Sequence, residues 1–219
     1  MRENCTSGSV RGVPGNGRSY REKCKKNVQI SAWDQVANET NFNLKIDIAQ
    51  FTERVPCDQR VLDYGCGYGR ITEQLYKNGY SNIVGIDTSG EMIKRGKLIY
   101  PHLSFQKAQE AKRDFPDNLF GAVIVSAVLT CLPKQQQKLD ALSEIKRLLK
   151  PGGILHLVEF CSETNNTFMS KIGVLMHHQP PSELRGLLAT FTELSFTVTN
   201  TQTMGGNNAH AFSYFGQNT

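Results

Sequence analysis

The sequence lacks any apolar stretch close to the ~18–20 residues that a membrane-spanning helix needs. Its longest, from Gly121 to Leu129, is interrupted by Ser126. It also lacks a C-x-x-C pair, and the six cysteines (Cys5, Cys24, Cys57, Cys66, Cys131, Cys161) stand at no metal-ligand spacing from a histidine. Free thiols in a reducing, cytoplasmic compartment are therefore expected, with no metal site. The N-x-[ST] triplets at Asn4, Asn38 and Asn165 then read as chance matches. No apolar core of a secretory signal is present near the amino terminus.

Charge of one sign is missing from most of the chain. The net charge is +5, yet residues 1–30 alone carry seven basic and two acidic side chains, leaving 18 of each in the rest. A basic face for nucleic acid is thus absent from the body. The first 30 residues are rich in Gly, Ser, Asn and Arg and lack apolar periodicity, so a flexible basic tail is expected at 1–30 and a folded domain at 31–219. With 219 residues, of which 39% are hydrophobic and 19 are glycine, the composition fits one globular domain and excludes fibrous or wholly disordered classes.

Short apolar runs alternate with helical spacing. Ser31 is placed to cap a short helix through Asp34, and a second helix is expected over Lys45–Arg54, with Ile46, Ala49 and Phe51 inward and Pro56 as its stop. Strands are expected at Arg60–Asp63, Asn82–Asp87, Leu103–Gln106, Gly121–Ser126 and Ile154–Phe160. Between them lie helices at Ile71–Lys77, Gly90–Ile99 and Gln135–Leu149. This is the βαβ rhythm of a doubly wound, mostly parallel α/β sheet. Ser182 is placed to cap a helix running to Thr190, and two alternating strands, Leu194–Asn200 and His210–Phe215, then make an antiparallel hairpin across Met204–Asn208.

The segment Val61-Leu-Asp-Tyr-Gly-Cys-Gly-Tyr-Gly-Arg70 has glycines at 65, 67 and 69. A dinucleotide fingerprint needs its third glycine at 70, where Arg70 stands, and Asp63 would repel a pyrophosphate. A nicotinamide dehydrogenase is therefore disfavoured, whereas a ligand with a positive group suits Asp63. Asp87 ends the next strand, in the place where an acid accepts the hydroxyls of a ribose.

These residues resemble class I S-adenosylmethionine-dependent methyltransferases over roughly residues 33–216. Asp63-Tyr-Gly-Cys-Gly-Tyr-Gly69 resembles the first motif of that family, and Ile86-Asp87-Thr-Ser89 the second. Phe115–Phe120 and Leu148–Gly153 resemble the segments before the fourth and fifth strands. The resemblance implies a Rossmann-like seven-stranded fold, S-adenosylmethionine as cofactor, and a cofactor set of Asp63, Gly65, Cys66, Gly67, Gly69, Asp87, Thr88, Met92, Gln109 and Ser126. Met92 would pack on the adenine, and Gln109, or Glu110 beside it, would stand where the family often has an acid for the adenine amino group.

On the acceptor side, Ser126–Cys131 contains neither an N-P-P-Y-like sequence nor a Pro-Cys pair, and no general base is evident. The catalytic residues are left open. Tyr68, Thr130 and His177 are candidates for the acceptor pocket, and Glu159 either orients an acceptor or satisfies local donors. Trp33 is either a cover for the site or a core anchor, and His156 is read as structural. A small-molecule acceptor is expected. The alternatives are an RNA or protein acceptor steered by the basic tail, or a cofactor-binding module without transfer.

Overall fold

The computed structural model describes residues 32–109 and 115–219. The expected tail at 1–30, the Ser31 cap and Glu110 lie outside the described residues. The elements are α1 (32–36), α2 (Ile48–Arg54), β1 (Val61–Tyr64), α3 (Arg70–Lys77), β2 (Ile83–Asp87), α4 (Gly90–Ile99), β3 (Ser104–Lys107) and β4 (Phe120–Ser126). There follow a 3₁₀ turn at Leu129–Cys131, α5 (Gln135–Leu148), β5 (Leu149–Cys161), β6 (Asn166–Met169), β7 (Leu175–His178), α6 (Pro181–Leu187), β8 (Thr192–Gln202) and β9 (Asn208–Gln217).

Seven strands form one sheet in the order β3-β2-β1-β4-β5-β9-β8. The pairs from β3 to β5 are parallel, while β9 runs antiparallel to both β5 and β8. Alternate residues of each strand face opposite layers. Leu62, Val123, Val125, Leu155 and Leu157 pack with Leu142 and Ile145 of α5 and Leu184 of α6. On the other side, Val61, Ile124 and Val158 pack with Phe51 of α2 and Ile71 and Leu75 of α3. Both faces are covered by helices, so the parallel strands read as continuous apolar runs. No helix among the described residues is long and apolar enough to cross a membrane.

Three local expectations change. The second helix starts at Ile48 because the Asp47 side chain accepts the Gln50 amide and caps it, and Ala49 points to solvent while Leu44 is buried. The Ser182 hydroxyl is not a cap. Pro181 occupies the first turn of α6, where its ring fixes φ and no amide needs a partner, so the helix begins two residues earlier than a serine cap would allow, and it ends at Leu187. β5 begins directly at Leu149, and the β4–β5 register shifts between Phe120 and Ala122 beside the Gly152-Gly153 pair. The segment 166–178, to which the sequence pattern assigns no element, is a separate two-stranded antiparallel sheet of β6 and β7.

Candidate functional site

The carboxyl ends of β1, β2 and β4 converge on the glycine turn, at the point where the strand order reverses. The turn is tied to β2 by its own amides. Gly65 and Cys66 donate to the Ile86 carbonyl at 2.8 and 2.9 Å, and Gly67 donates to Asp87 Oδ2 at 2.9 Å. With those donors spent on β2, the turn keeps fewer free amides for a phosphate. Gly67 has φ +55°, and a Cβ there would lie 2.4 Å from the Phe42 ring. A Cβ on Gly65 would lie as close to Val128, at 2.3 Å, so the turn is a cradle pressed between Phe42 and the loop after β4.

Within the protein, Asp63 has a side-chain partner on α3. It is buried, and its Oδ2 accepts the Thr72 hydroxyl at 2.7 Å. Thr72 lies in the first turn of α3, whose amino-terminal position, Gly69, has no side chain to cap it. The carboxylate on β1 thus anchors the start of the helix. Burial raises its pKa to about 6, against the lowering effect of Thr72 and Arg70. Asp87 accepts the Ser89 amide through Oδ1 at 2.8 Å, and burial raises its pKa also.

The segment before α2 lies over this region. Asp34 Oδ1 accepts the Ser89 hydroxyl at 2.6 Å and the Glu91 amide at 3.2 Å. Trp33 meets Phe42 edge-on with centroids 5.8 Å apart, and Phe42 stacks on Tyr68 at 5.4 Å. Met92 is buried with Ala37 and Tyr68, and Trp33 packs against that cluster. The Arg95 guanidinium also lies over the Tyr68 ring, 3.9 Å from its centroid. The Tyr68 ring is thus packed by both Phe42 and Arg95, and Trp33 anchors the covering segment. Thr88 and Ser126 are half-buried at the ends of β2 and β4, and Gln109 is exposed beyond β3. Gln106, on β3 itself, has a buried Oε1 without a hydrogen-bond partner.

At the ends of β4 and β5, Glu159 receives three backbone amides: Val128 and Leu129 at Oε1 (2.9 and 2.8 Å) and Thr130 at Oε2 (2.9 Å). It satisfies local donors, and burial raises its pKa to about 7. Thr130 is buried and its Oγ1 has no partner. β7 lies against this turn, with Met176 Sδ 3.9 Å from Cys131 Sγ. Lys138 is also buried. It donates to Gln179 Oε1 and, at 3.4 Å, to His177 Nδ1, which leaves His177 Nε2 to donate to Asn165 Oδ1 at 3.3 Å. Burial lowers the Lys138 pKa. His178 beside it stacks on Phe160.

His156 lies far from this cleft in bonding terms. Its Nδ1 donates to the Tyr214 carbonyl and its Nε2 accepts the Asp47 amide, both at 3.1 Å, and its ring stacks on Phe215 with centroids 4.0 Å apart. Sequence reasoning missed Asp34, Phe42, Thr72 and Lys138. Only Lys138 carried a signal, since it falls on the stripe of Ala141, Leu142 and Ile145 at helical spacing.

Residues 62–157 match the family model of a methyltransferase domain. The mouse eEF1A lysine and N-terminal methyltransferase is 34% identical over 105 residues, covering 43% of this chain and 15% of that protein. The crystal structure of a SAM-dependent methyltransferase from Methanosarcina mazei superposes with a TM-score of 0.70 at 26% identity, covering 80% of this chain and 98% of the other. A Burkholderia thailandensis 1,6-didemethyltoxoflavin-N1-methyltransferase, solved with its substrate and S-adenosylhomocysteine, shares the fold at a TM-score of 0.64 and 16% identity, over 96% and 93% of the two chains. The chain spans about half or less of the curated relatives it matches, from 15% of the mouse protein to 55% of an uncharacterized methyltransferase of Synechocystis.

Proposed function

Because residues 62–157 form a class I S-adenosylmethionine-dependent methyltransferase domain, we propose that the chain binds S-adenosylmethionine across the carboxyl ends of β1, β2 and β4 and transfers its methyl group to an oxygen, nitrogen or sulfur atom of a small molecule. The remaining lone pairs of Asp87 accept the ribose hydroxyls, Thr88 and Met92 border the adenine, and the buried Oε1 of Gln106 accepts its amino group in place of the exposed Gln109. The turn Gly65–Gly69, with Cys66 inside it, and Ser126 border the methionine half, and Asp63 holds the turn on α3. The bound sulfonium supplies an activated methyl carbon, so the protein contributes position and the exclusion of water.

A small acceptor is favoured by one observation: β7 lies against the turn Leu129–Cys131, and in this reading the β6–β7 hairpin acts as a roof over the acceptor end of the cleft. A folded protein or a nucleic acid needs that end open. Thr130 Oγ1 is the unspent polar group beneath the roof. His177 has both ring nitrogens engaged, so it is no ready base, and the acceptor atom brings its own lone pair. A cytoplasmic location fits the buried thiols of Cys66 and Cys161.

Calorimetric titration with S-adenosylmethionine and S-adenosylhomocysteine tests the cofactor reading, with micromolar binding (~8 kcal/mol) expected. Release of S-adenosylhomocysteine is then followed with small metabolites, total RNA and protein fractions as acceptors, on the full chain and on a chain lacking residues 1–30. Turnover on a small molecule that survives the deletion supports the proposal. Turnover only on RNA or protein, lost with the basic tail, overturns the acceptor class while leaving the cofactor reading intact. Binding of the cofactor without turnover on any acceptor points to a binding module.

A further inference from the structure

Among the described residues, β8 forms the outer edge of the seven-stranded sheet, and its 11 residues pair only with β9. Its other row of backbone donors and acceptors has no partner among the described residues, apart from the Gln202 carbonyl, which accepts Asn43 Nδ2 at 3.0 Å. Such edges are ordinarily blunted by lysine, proline or a covering loop. β8 contains no lysine, arginine or proline, and its one charge, Glu193, is held at the strand's start by Arg185 at 2.8 Å. Leu194, Phe196 and Val198 are 42%, 38% and 44% exposed, and Met204 on the following turn is 40% exposed.

We propose that β8 pairs with β8 of a second copy of this chain, antiparallel across a two-fold axis, joining two seven-stranded sheets into one. The strand is suited to itself. The register shift between Glu193 and Ser195 takes Leu194 out of the regular ladder, which leaves 195–202 as the straight stretch. An axis at Thr197 sets Phe196 opposite Val198 twice on one face, and Thr197 opposite itself with Ser195 opposite Thr199 on the other. These are an aromatic with a β-branched residue and hydroxyl with hydroxyl, and both kinds of cross-strand pair are favourable. No charge meets a like charge, because 194–202 carries none. A single strand pair buries less than the ~1,200–2,000 Å² of a standard interface. The dimer is accordingly weak and forms as concentration rises.

Sedimentation velocity of the full chain over a concentration series tests this, alongside Val198→Lys and Thr197→Cys. The wild type is expected to shift from monomer toward dimer with concentration. Val198→Lys, an exposed position, is expected to stay monomeric with an unchanged melting temperature. Thr197→Cys is expected to give, on mild oxidation, a covalent dimer whose linked peptide maps to 197–197. A wild type that remains monomeric throughout, a Val198→Lys variant that still dimerises, or crosslinks that map only to native cysteines would overturn the proposal. None of these outcomes depends on cofactor binding.

Discussion

The carboxylate of Asp87 and the amide of Gly67 are joined at 2.9 Å, so the acid that ends β2 also fixes the glycine turn that follows β1. Asp87→Ala removes both the acceptor for Gly67 and the proposed ribose contact. The expected result is a loss of S-adenosylmethionine affinity of at least about tenfold, ~1.4 kcal/mol or more, measured by calorimetry. Affinity within twofold of wild type would separate the turn from the cofactor.

Gly67→Ala tests the cradle by sterics alone. The new methyl would sit 2.4 Å from the Phe42 ring at a φ of +55°. A cost of roughly 1–3 kcal/mol in unfolding free energy is expected, together with weakened cofactor binding. Denaturant unfolding checks the first and titration the second.

Much of this arrangement was legible in the sequence. The strands from Arg60 to Phe160 and the terminal hairpin could be placed because each is an apolar or alternating run bounded by glycine, proline or a helix of clear period. The glycine turn stood out because its spacing departs from a dinucleotide fingerprint at Arg70. What stayed hidden depends on contacts distant along the chain. Glu159 finds the amides of Val128, Leu129 and Thr130 only after β4 and β5 pair. Asp34 meets Ser89 only when the leading segment folds back. The strands Asn166–Met169 and Leu175–His178 are four residues each, too short to show a period.

Asp34→Ala should loosen the covering segment. Trp33 is the one tryptophan of the chain, so intrinsic fluorescence reports that segment directly. A red shift of the emission is expected in the variant, and in the wild type a change on adding S-adenosylmethionine. Superimposable spectra in all conditions would show that 32–44 is indifferent to the cofactor.

Glu159→Gln leaves one oxygen for three amides and turns a donor toward one of them. About 1–3 kcal/mol of destabilisation is expected from the unsatisfied amide, with faster hydrogen exchange at Val128, Leu129 and Thr130. Unchanged protection there would mean that the turn is held by packing alone.

His156 gives the clearest pH signature. Burial lowers its pKa from 6.5 to about 4 despite the Tyr214 carbonyl. Below pH 6.5 the unfolded chain takes up a proton that the folded protein refuses until about pH 4, so this histidine's share of the stability is intact above 6.5 and lost as the pH falls to 4. Relative to His156→Gln, which does not titrate, the wild type should lose about 3 kcal/mol over that window. Chemical denaturation at several pH values measures the gap. NMR should show the His156 ring flat between pH 5 and 8.

β5 stands between the two halves of the sheet, parallel to β4 on one side and antiparallel to β9 on the other. During synthesis its first edge is satisfied by a strand already made, but the partner for its second edge begins only at Asn208. At ~5–20 residues per second, a nascent chain carries that long apolar edge open for several seconds. The strand that completes the sheet is thus also the one whose delay sets the window for misassembly. Slow translation between Cys161 and Asn208 should lower the soluble yield more than the same pause placed within β1 to β4.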